Sequence, residues 1–448
     1  MLTNYTNMTD EKIDLLKLIR DNQLLHPDTQ KSDFPENYPF YDKKADVTVT
    51  FICPILTGES VYKMIYPALA MNLYSETHRA FLYAIRDFIV KNQMDDYSSG
   101  ISIPDTFIAI SDYMVFPFFI FEKKDEEGDG KNMWEIWEVI RKMKPGIKIV
   151  YCVDTNFLRM PVGYPGYKQY ESQKTKDTII ENMRYADIVL ITQQALGEFL
   201  FSELKDQLQG SPTTIEVMPC GFFPEIIDPI IHSDSPSIDH PTFRMGMIAN
   251  PTHADDLNCI RDQLITLKGK YRDQLEILSF GWRGIADFGK GMRDTFRGIP
   301  VDYKPPVNFY QYYQKLAEYQ FDCMLLPVKL TEDQQFTLTS KNYQKYIEAS
   351  SMGIPCLITS IAPFKDTPYM GDGFPLIKTG ETGILIEKKA DWVTEVSAAI
   401  EEKKEITGSE ENKDKMTRLD TIGIKAYAQA HERFTYQHII PWIERIFE

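Results

Sequence analysis

Ser340-Lys-Asn-Tyr-Gln-Lys-Tyr-Ile-Glu-Ala-Ser-Ser-Met-Gly-Ile-Pro-Cys-Leu-Ile-Thr-Ser360 is the stretch that decides the fold. It reads as a helix that stops and passes at once into a buried strand. Ser340 is placed as an N-cap, since its hydroxyl can accept a hydrogen bond from a free N–H of the first turn. Gly353 supplies a left-handed stop, with Pro355 just beyond it. Pro355 to Thr359 is a short apolar strand. Lys341, Lys345 and Glu348, at i, i+4 and i+7, fall on one helix face. Two lysines beside a positive helix end suit a diphosphate, and a carboxylate one turn further on suits the two hydroxyls of a ribose. The same spacing also serves an ordinary solvated charge face.

The pattern S-K-x-x-x-K-Y-I-E-A-S-S-M-G-I-P-C-L-I-T-S resembles the C-terminal signature of retaining GT-B glycosyltransferases, in particular glycosyltransferase family 4. The resemblance assigns Glu348 to the nucleotide ribose. Many members carry another Glu eight positions earlier, against the donor sugar. Ser340 stands there in this chain and is kept among the nucleotide-sugar-binding candidates. Lys341, Asn342, Lys345 and Glu348 follow the related Lys-Ser-x-x-Lys-x-x-Glu form except at the Ser.

Working outward toward the C-terminus, 361–370 reads as a loop, and Gly380 to Ile386 resembles the family's x-G-x-x-G-x-L-V ending. Residues 401–418 are charged and read as surface helix and loop. The last helix, Tyr436 to Phe447, has Ile439, Ile440, Trp442 and Ile443 as its packing face, and the resemblance implies that it crosses back to the first domain. Toward the N-terminus, Phe321 to Pro327 resembles the x-D-x-x-L-x-P strand before the signature. A helix to Tyr319 precedes it, whose aromatic cluster from Phe309 reads as packing. The stretch 328–338 reads as a loop over the donor. Leu275 to Phe280 is a strand followed by Gly281-Trp282-Arg283-Gly284. A glycine there permits close backbone approach to a ligand, and Arg283 either forks onto phosphate or is simply exposed. Phe243 to Ala249 is a strand leading to Asn250-Pro-Thr-His253. Family members carry a basic residue in or just after this loop. Here Lys341, Lys345 and backbone amides, or Arg283, would hold the diphosphate, with Asn250 beside them.

The first half opens on the strand Asp46 to Pro54, then Thr57-Gly58-Glu-Ser-Val-Tyr-Lys63 and a helix to about Tyr74. A small-residue loop between strand end and helix start is the usual ligand position of a doubly wound sheet. By resemblance Gly58 and Lys63 form an acceptor and phosphate loop; the plain alternative is a βα turn with a surface lysine. Helix is expected from there to the next strands, Thr106 to Ser111, Phe116 to Phe121 and Ile147 to Val153, with a solvated acidic turn at 122–131. Asp154 follows the last of these at a strand end that faces the ligand crevice, and is the candidate catalytic or acceptor-side carboxylate. Asp in a loop also commonly caps a turn. Met183 to Thr192 and Ile215 to Phe222 complete this half, and 224–241 reads as linker.

Other chemistries find little support. Gly284-Ile-Ala-Asp-Phe-Gly-Lys-Gly291 is close to a P-loop, but position 291 is Gly where the magnesium-binding hydroxyl should stand. No G-x-G-x-x-G and no Asp-x-Asp occurs, so no metal site is assigned. The 448 residues carry a net charge of −16, which argues against a broad basic surface for nucleic acid or anionic membrane. No apolar run reaches the roughly 18 residues of a membrane span. The start of the chain lacks the basic and apolar regions of a signal peptide. Cys53, Cys152, Cys220, Cys259, Cys323 and Cys356 are scattered without a C-x-x-C and read as free thiols of a cytoplasmic protein.

The expected fold is α/β, of GT-B type: two doubly wound Rossmann-like domains facing a cleft. Expected boundaries are a helix-and-loop extension at 1–45 (helix at about 10–25), an acceptor domain at 46–228, a linker at 229–242, a nucleotide-sugar domain at 243–425 and a returning helix at 426–448. The resemblance implies sugar transfer from a UDP-sugar or GDP-sugar to an acceptor hydroxyl, with retention and without a metal or other cofactor. Lys345 and Asp154 are the catalytic candidates. The acceptor is left open among glycan, lipid-linked sugar, protein and modified DNA base, and the oligomeric state is left open too. A sugar-nucleotide epimerase or a non-catalytic binding subunit on the same scaffold is the alternative.

Overall fold

The computed structural model describes residues 40–53, 61–84, 103–118, 133–162, 167–231, 242–248, 254–281, 301–305, 307, 309–330, 334–365, 375–412 and 415–448. The expected helix at 10–25, the turn at 122–131, the near P-loop at 284–291, and Gly58, Asn250, His253 and Arg283 lie outside these residues. The chain divides into two compact units. One is formed by Met1–Met160, Gly166–Glu225 and Tyr436–Glu448, the other by Pro161–Pro165 and Ile226–Thr435.

The first unit is built on six parallel strands: β1 (Val47–Cys53), β2 (His78–Ala84), β3 (Tyr113–Phe116), β4 (Lys148–Val153), β5 (Ile188–Ile191) and β6 (Thr214–Val217). Their order is β2-β1-β3-β4-β5-β6. Phe51, Ile52, Val150 and Tyr151 are fully buried, as expected where both faces of a parallel sheet are covered and strands become unbroken apolar runs. The helix Tyr66–Tyr74 enters through a wide helical turn, Val61–Ile65, and buries its first six residues. The C-terminal helix Tyr436–Ile446 packs beside it, with Ile439, Ile440 and Ile443 buried and Trp442 only partly so. The Tyr436 N–H donates to the Phe222 carbonyl at 3.0 Å, and its ring stacks on Phe223 at 4.7 Å.

The second unit repeats the plan with β7 (Phe243–Ile248), β8 (Leu275–Phe280), β9 (Asp302–Lys304), β10 (Cys323–Leu326), β11 (Cys356–Thr359) and β12 (Ile384–Ile386), in the order β12-β11-β10-β7-β8-β9. All pair in parallel. Its core joins Met245, Ile277, Leu325 and Leu357 of the sheet to Trp392, Val396 and Ile400 of the helix Lys389–Thr407.

The structure corrects several local expectations. The run at Thr106 to Ser111 is the helix Asp105–Ile110, and the strand follows it at β3. Pro104, extended at φ −61° and ψ 138°, starts that helix, and a short apolar run cannot by itself tell helix from strand. Strand β2 stands where helix was expected. Its two alanines blur the alternation, but it pairs with β1 along its full length. The expected linker opens with the helix Pro224–Ile231, and the expected donor loop ends in the helix Gln334–Ser340. Ala362–Lys365 is a helical turn.

Ser340 is not the cap of the signature helix. It ends the preceding helix, and the signature helix is Gln344–Ser351. The break is made by Asn342, whose Oδ1 accepts from the Gln344 N–H at 3.2 Å. An Asn side chain that captures the N–H two residues on competes with helix continuation and restarts it. Lys341 therefore lies in the turn between two helices, rather than on a helix face with Lys345 and Glu348. Gly353 does stop the helix, at φ +72°.

Candidate functional site

An open parallel sheet binds ligands beyond its strand carboxyl ends, where the strand order reverses. In the second unit that place is between β7 and β10, because β8 and β9 extend to one side of β7, and β10 to β12 to the other. The helix Ala254–Asn258 follows β7, and Lys329 follows β10. Asp256 links them: its Oδ1 accepts the Lys329 N–H at 2.9 Å and its Oδ2 accepts from the Lys341 ammonium at 2.5 Å. Lys341 is 9% exposed and Asp256 5%. Burial of an acidic and a basic side chain at one place is tolerable only with such close pairing. Lys329 also reaches Asp255 at 2.8 Å, on the exposed side of the cluster.

Lys345 lies within electrostatic reach of this pair. Its ammonium is pushed down to about 8, first by desolvation and then by the Lys341 charge, while Asp256 and Glu348 oppose the shift. Glu348, 5% exposed, projects from the same helix. Its Oε1 accepts from Gln344 Nε2 at 2.9 Å and its Oε2 from the Tyr312 hydroxyl at 2.7 Å. Tyr312 stands on the helix Phe309–Tyr319, and its ring stacks on Phe280 with centroids 5.5 Å apart and planes at 19°. Gly281 follows Phe280 at φ +106°, a left-handed turn that closes the carboxyl end of β8. Its N–H is held by the Lys304 carbonyl at 3.1 Å.

The structure thus brings Lys341, Lys345 and Glu348 together and leaves Ser340 on the helix before them. Two residues of the cluster were not anticipated. Asp256 sits in an Asp-Asp pair that reads as ordinary acid in a first helical turn. Tyr312 lies in the aromatic cluster assigned to packing. Chemically Lys341, Lys345, Asp256 and Glu348 set two basic and two acidic side chains at the carboxyl ends of the strands, with the Lys329–Asp255 pair on the exposed side. Among the described residues each Glu348 oxygen accepts one hydrogen bond, which leaves each a second acceptor direction for a ligand hydroxyl.

In the first unit the order reverses between β1 and β3. Lys63, in the wide turn after β1, donates from its ammonium to Oδ2 of Asp154, which follows β4 directly. Two residues proposed separately, one as a phosphate-loop lysine and one as an acceptor-side carboxylate, are an ion pair with each side chain about one-fifth exposed. Beside them burial pushes the Cys152 thiol up to about 12, so it is no thiolate nucleophile at neutral pH. All six cysteines are free.

No family model matches the sequence, and no curated protein does. Solved structures do match its fold. An alpha-glucosyltransferase in complex with UDP-glucose and DNA containing an abasic site has a TM-score of 0.59 at 13% identity, over 90% of this chain and 100% of that one. The same enzyme name in complex with UDP and a 13-mer DNA containing a HMU base gives 0.55 at 12% identity, over 90% and 100%. A UDP-forming alpha,alpha-trehalose-phosphate synthase from Burkholderia xenovorans gives 0.50 at 8% identity, over 90% and 98%. The two six-stranded parallel sheets with flanking helices match the paired Rossmann-like domains of these proteins. The chain has the GT-B fold, and at such identities the likeness extends to the fold alone.

Proposed function

We propose that this protein transfers a sugar from a nucleoside diphosphate sugar to an acceptor hydroxyl. Lys341 and Lys345 neutralise the diphosphate as it leaves, and Glu348 holds the ribose. The observation that carries this assignment is the grouping of Lys341, Lys345 and Glu348 at the strand-order reversal of the second sheet. Preorganised cations at the point where leaving-group charge develops are the main source of rate in such a displacement. Asp154 and Lys63 serve the acceptor. Retention at the anomeric carbon is part of the proposal and is supported by the signature resemblance. A UDP-sugar is the first donor to try, since UDP or a UDP-sugar is named with the structural neighbours. The acceptor is a glycan, lipid-linked or protein hydroxyl in preference to DNA, because a net charge of −16 repels a polyanion.

The test is a thermal-shift scan against UDP, GDP, ADP and TDP, followed by transfer assays with the corresponding sugars. A nucleotide that binds only the folded state raises the melting temperature. One nucleotide should do so clearly, and Glu348→Ala should abolish the shift. No shift with any of the four would remove the donor-site assignment.

A further inference from the structure

Glu348 carries a carboxylate on a terminal bond that rotates over a broad, roughly two-fold well, so burial alone does not fix the plane of its oxygens. Among the described residues two side chains hold it, and they differ in kind. Gln344 lies one turn back on the same helix, half-buried, and its amide turns on a flexible stem of its own. Tyr312 comes from another helix, 36 residues away in sequence. Its ring is held by the stack on Phe280 and by an edge contact to Tyr313 at 5.2 Å. Phe280 is the last residue of β8 and is 1% exposed. The hydroxyl that reaches Oε2 is therefore placed by the sheet itself.

We infer that Tyr312 is the positioning residue that fixes the carboxylate plane of Glu348, and so sets recognition of the ribose 2′- and 3′-hydroxyls, given the assignment of Glu348 to the ribose. The Tyr312 hydroxyl donates to Oε2 and takes one of its acceptor directions. Oε1 and Oε2 each keep a further acceptor direction, one for each of two vicinal hydroxyls. Without the phenol oxygen the carboxylate rotates, and the two acceptors no longer stand ready as a pair. Tyr312 acts through Glu348 and need not touch the nucleotide.

The experiment measures the affinity of UDP and of 2′,3′-dideoxy-UDP by calorimetry for the unaltered protein, Tyr312→Phe, Glu348→Ala and the double variant. Phenylalanine keeps the stack on Phe280 and removes only the hydroxyl, so the fold is kept and the melting temperature without ligand should fall by no more than a few degrees. Tyr312→Phe should weaken UDP roughly tenfold, the scale of one hydrogen bond to a charged group, and leave dideoxy-UDP unchanged. The double variant should bind UDP no more weakly than Glu348→Ala alone. Equal weakening of both nucleotides, or no weakening of UDP, overturns the role given to Tyr312, provided that Glu348→Ala weakens UDP and leaves dideoxy-UDP unchanged. If Glu348→Ala and the unaltered protein show the same UDP to dideoxy-UDP ratio, the ribose assignment itself fails and the role of Tyr312 falls with it.

Discussion

Lys341 and Asp256 meet at 2.5 Å although 85 residues separate them in the chain. The aspartate belongs to the helix after β7 and the lysine to the turn that Asn342 makes between two helices. Because the Asp256 carboxylate also accepts the Lys329 N–H, one buried acid ties together the segments that follow β7, β10 and the helix Gln334–Ser340. The internal counter-ion fixes the position of the lysine side chain.

Removing one partner of a buried ion pair leaves an uncompensated charge and typically costs about 3–5 kcal/mol, whereas replacing both by apolar groups is often close to neutral. Asp256→Ala is accordingly expected to lower stability by about 3 kcal/mol. The pair Lys341→Met with Asp256→Leu should recover most of that loss. Urea unfolding of the unaltered protein and the two variants checks this, and a double variant as unstable as Asp256→Ala would refute it.

Lys345 gives a pH dependence whose sign follows from its depressed value. In the unfolded chain the ammonium titrates near 10.5, in the folded protein near 8. Between those values the unfolded state binds more protons, so stability contributed by this site rises as pH increases from about 8 to about 10.5. Below pH 8 both states are protonated and the cost of the partly desolvated charge is constant. Lys345→Met removes that cost, so the variant should be more stable than the unaltered protein at pH 7, with the gap closing toward pH 10. Lys43, also pushed down to about 8 by burial, titrates in the same window. The difference between variant and unaltered protein is therefore the quantity to follow, by chemical denaturation at a series of pH values.

The same places show how far the amino-acid sequence could be read. Strands β4, β5, β10 and β11 were legible because burial on both faces writes a nearly continuous apolar run, and β1 because its Val-Thr alternation gives way to a buried Phe-Ile-Cys end. Gly353 was legible because one conformational demand selects one residue type. Strand β2 and the helix Asp105–Ile110 were not, since short segments with mixed apolar residues satisfy both periods and only the partner strand decides. In the candidate site, Lys345 and Glu348 share a helix and a local spacing that could be seen. Asp256 meets Lys341 and Tyr312 meets Glu348 through contacts 85 and 36 residues apart, for which no local pattern exists.

Lys63 and Asp154 are each about one-fifth exposed, so their pair adds little to stability, about 1 kcal/mol or less. If they serve the acceptor, their loss should instead appear in turnover. Asp154→Asn and Lys63→Met are expected to unfold within about 1 kcal/mol of the unaltered protein. Each should lower transfer at least tenfold, with nucleotide affinity unchanged. Parallel measurements of denaturation, nucleotide binding and transfer separate the two effects. Variants with full transfer would take both residues out of the acceptor site.

Two glycines near the end of the signature helix make opposite demands, and comparing them tests the packing there. Gly353 has φ +72°, and a Cβ added to it would touch only Tyr427, at 4.0 Å. Its requirement is conformational, so Gly353→Ala should cost about 1–2 kcal/mol, the price of a left-handed residue with a side chain. Gly423 lies inside the helix Arg418–Arg433, where Ala would be the better helix former. A Cβ there would come 2.2 Å from the Gly353 carbonyl oxygen and 3.2 Å from Pro355 Cδ. Backbone cannot yield as a flexible side chain does, so the helix must move away from the turn that launches β11. Gly423→Ala is therefore expected to cost about 3 kcal/mol, at the upper end for overpacking. It should also weaken nucleotide binding, because the signature helix that carries Lys345 and Glu348 ends at that turn. Gly353→Ala should leave binding nearly unchanged. Denaturation and nucleotide titration of both variants check this, and a Gly423→Ala protein of unchanged stability would show that the two helices are not in backbone contact.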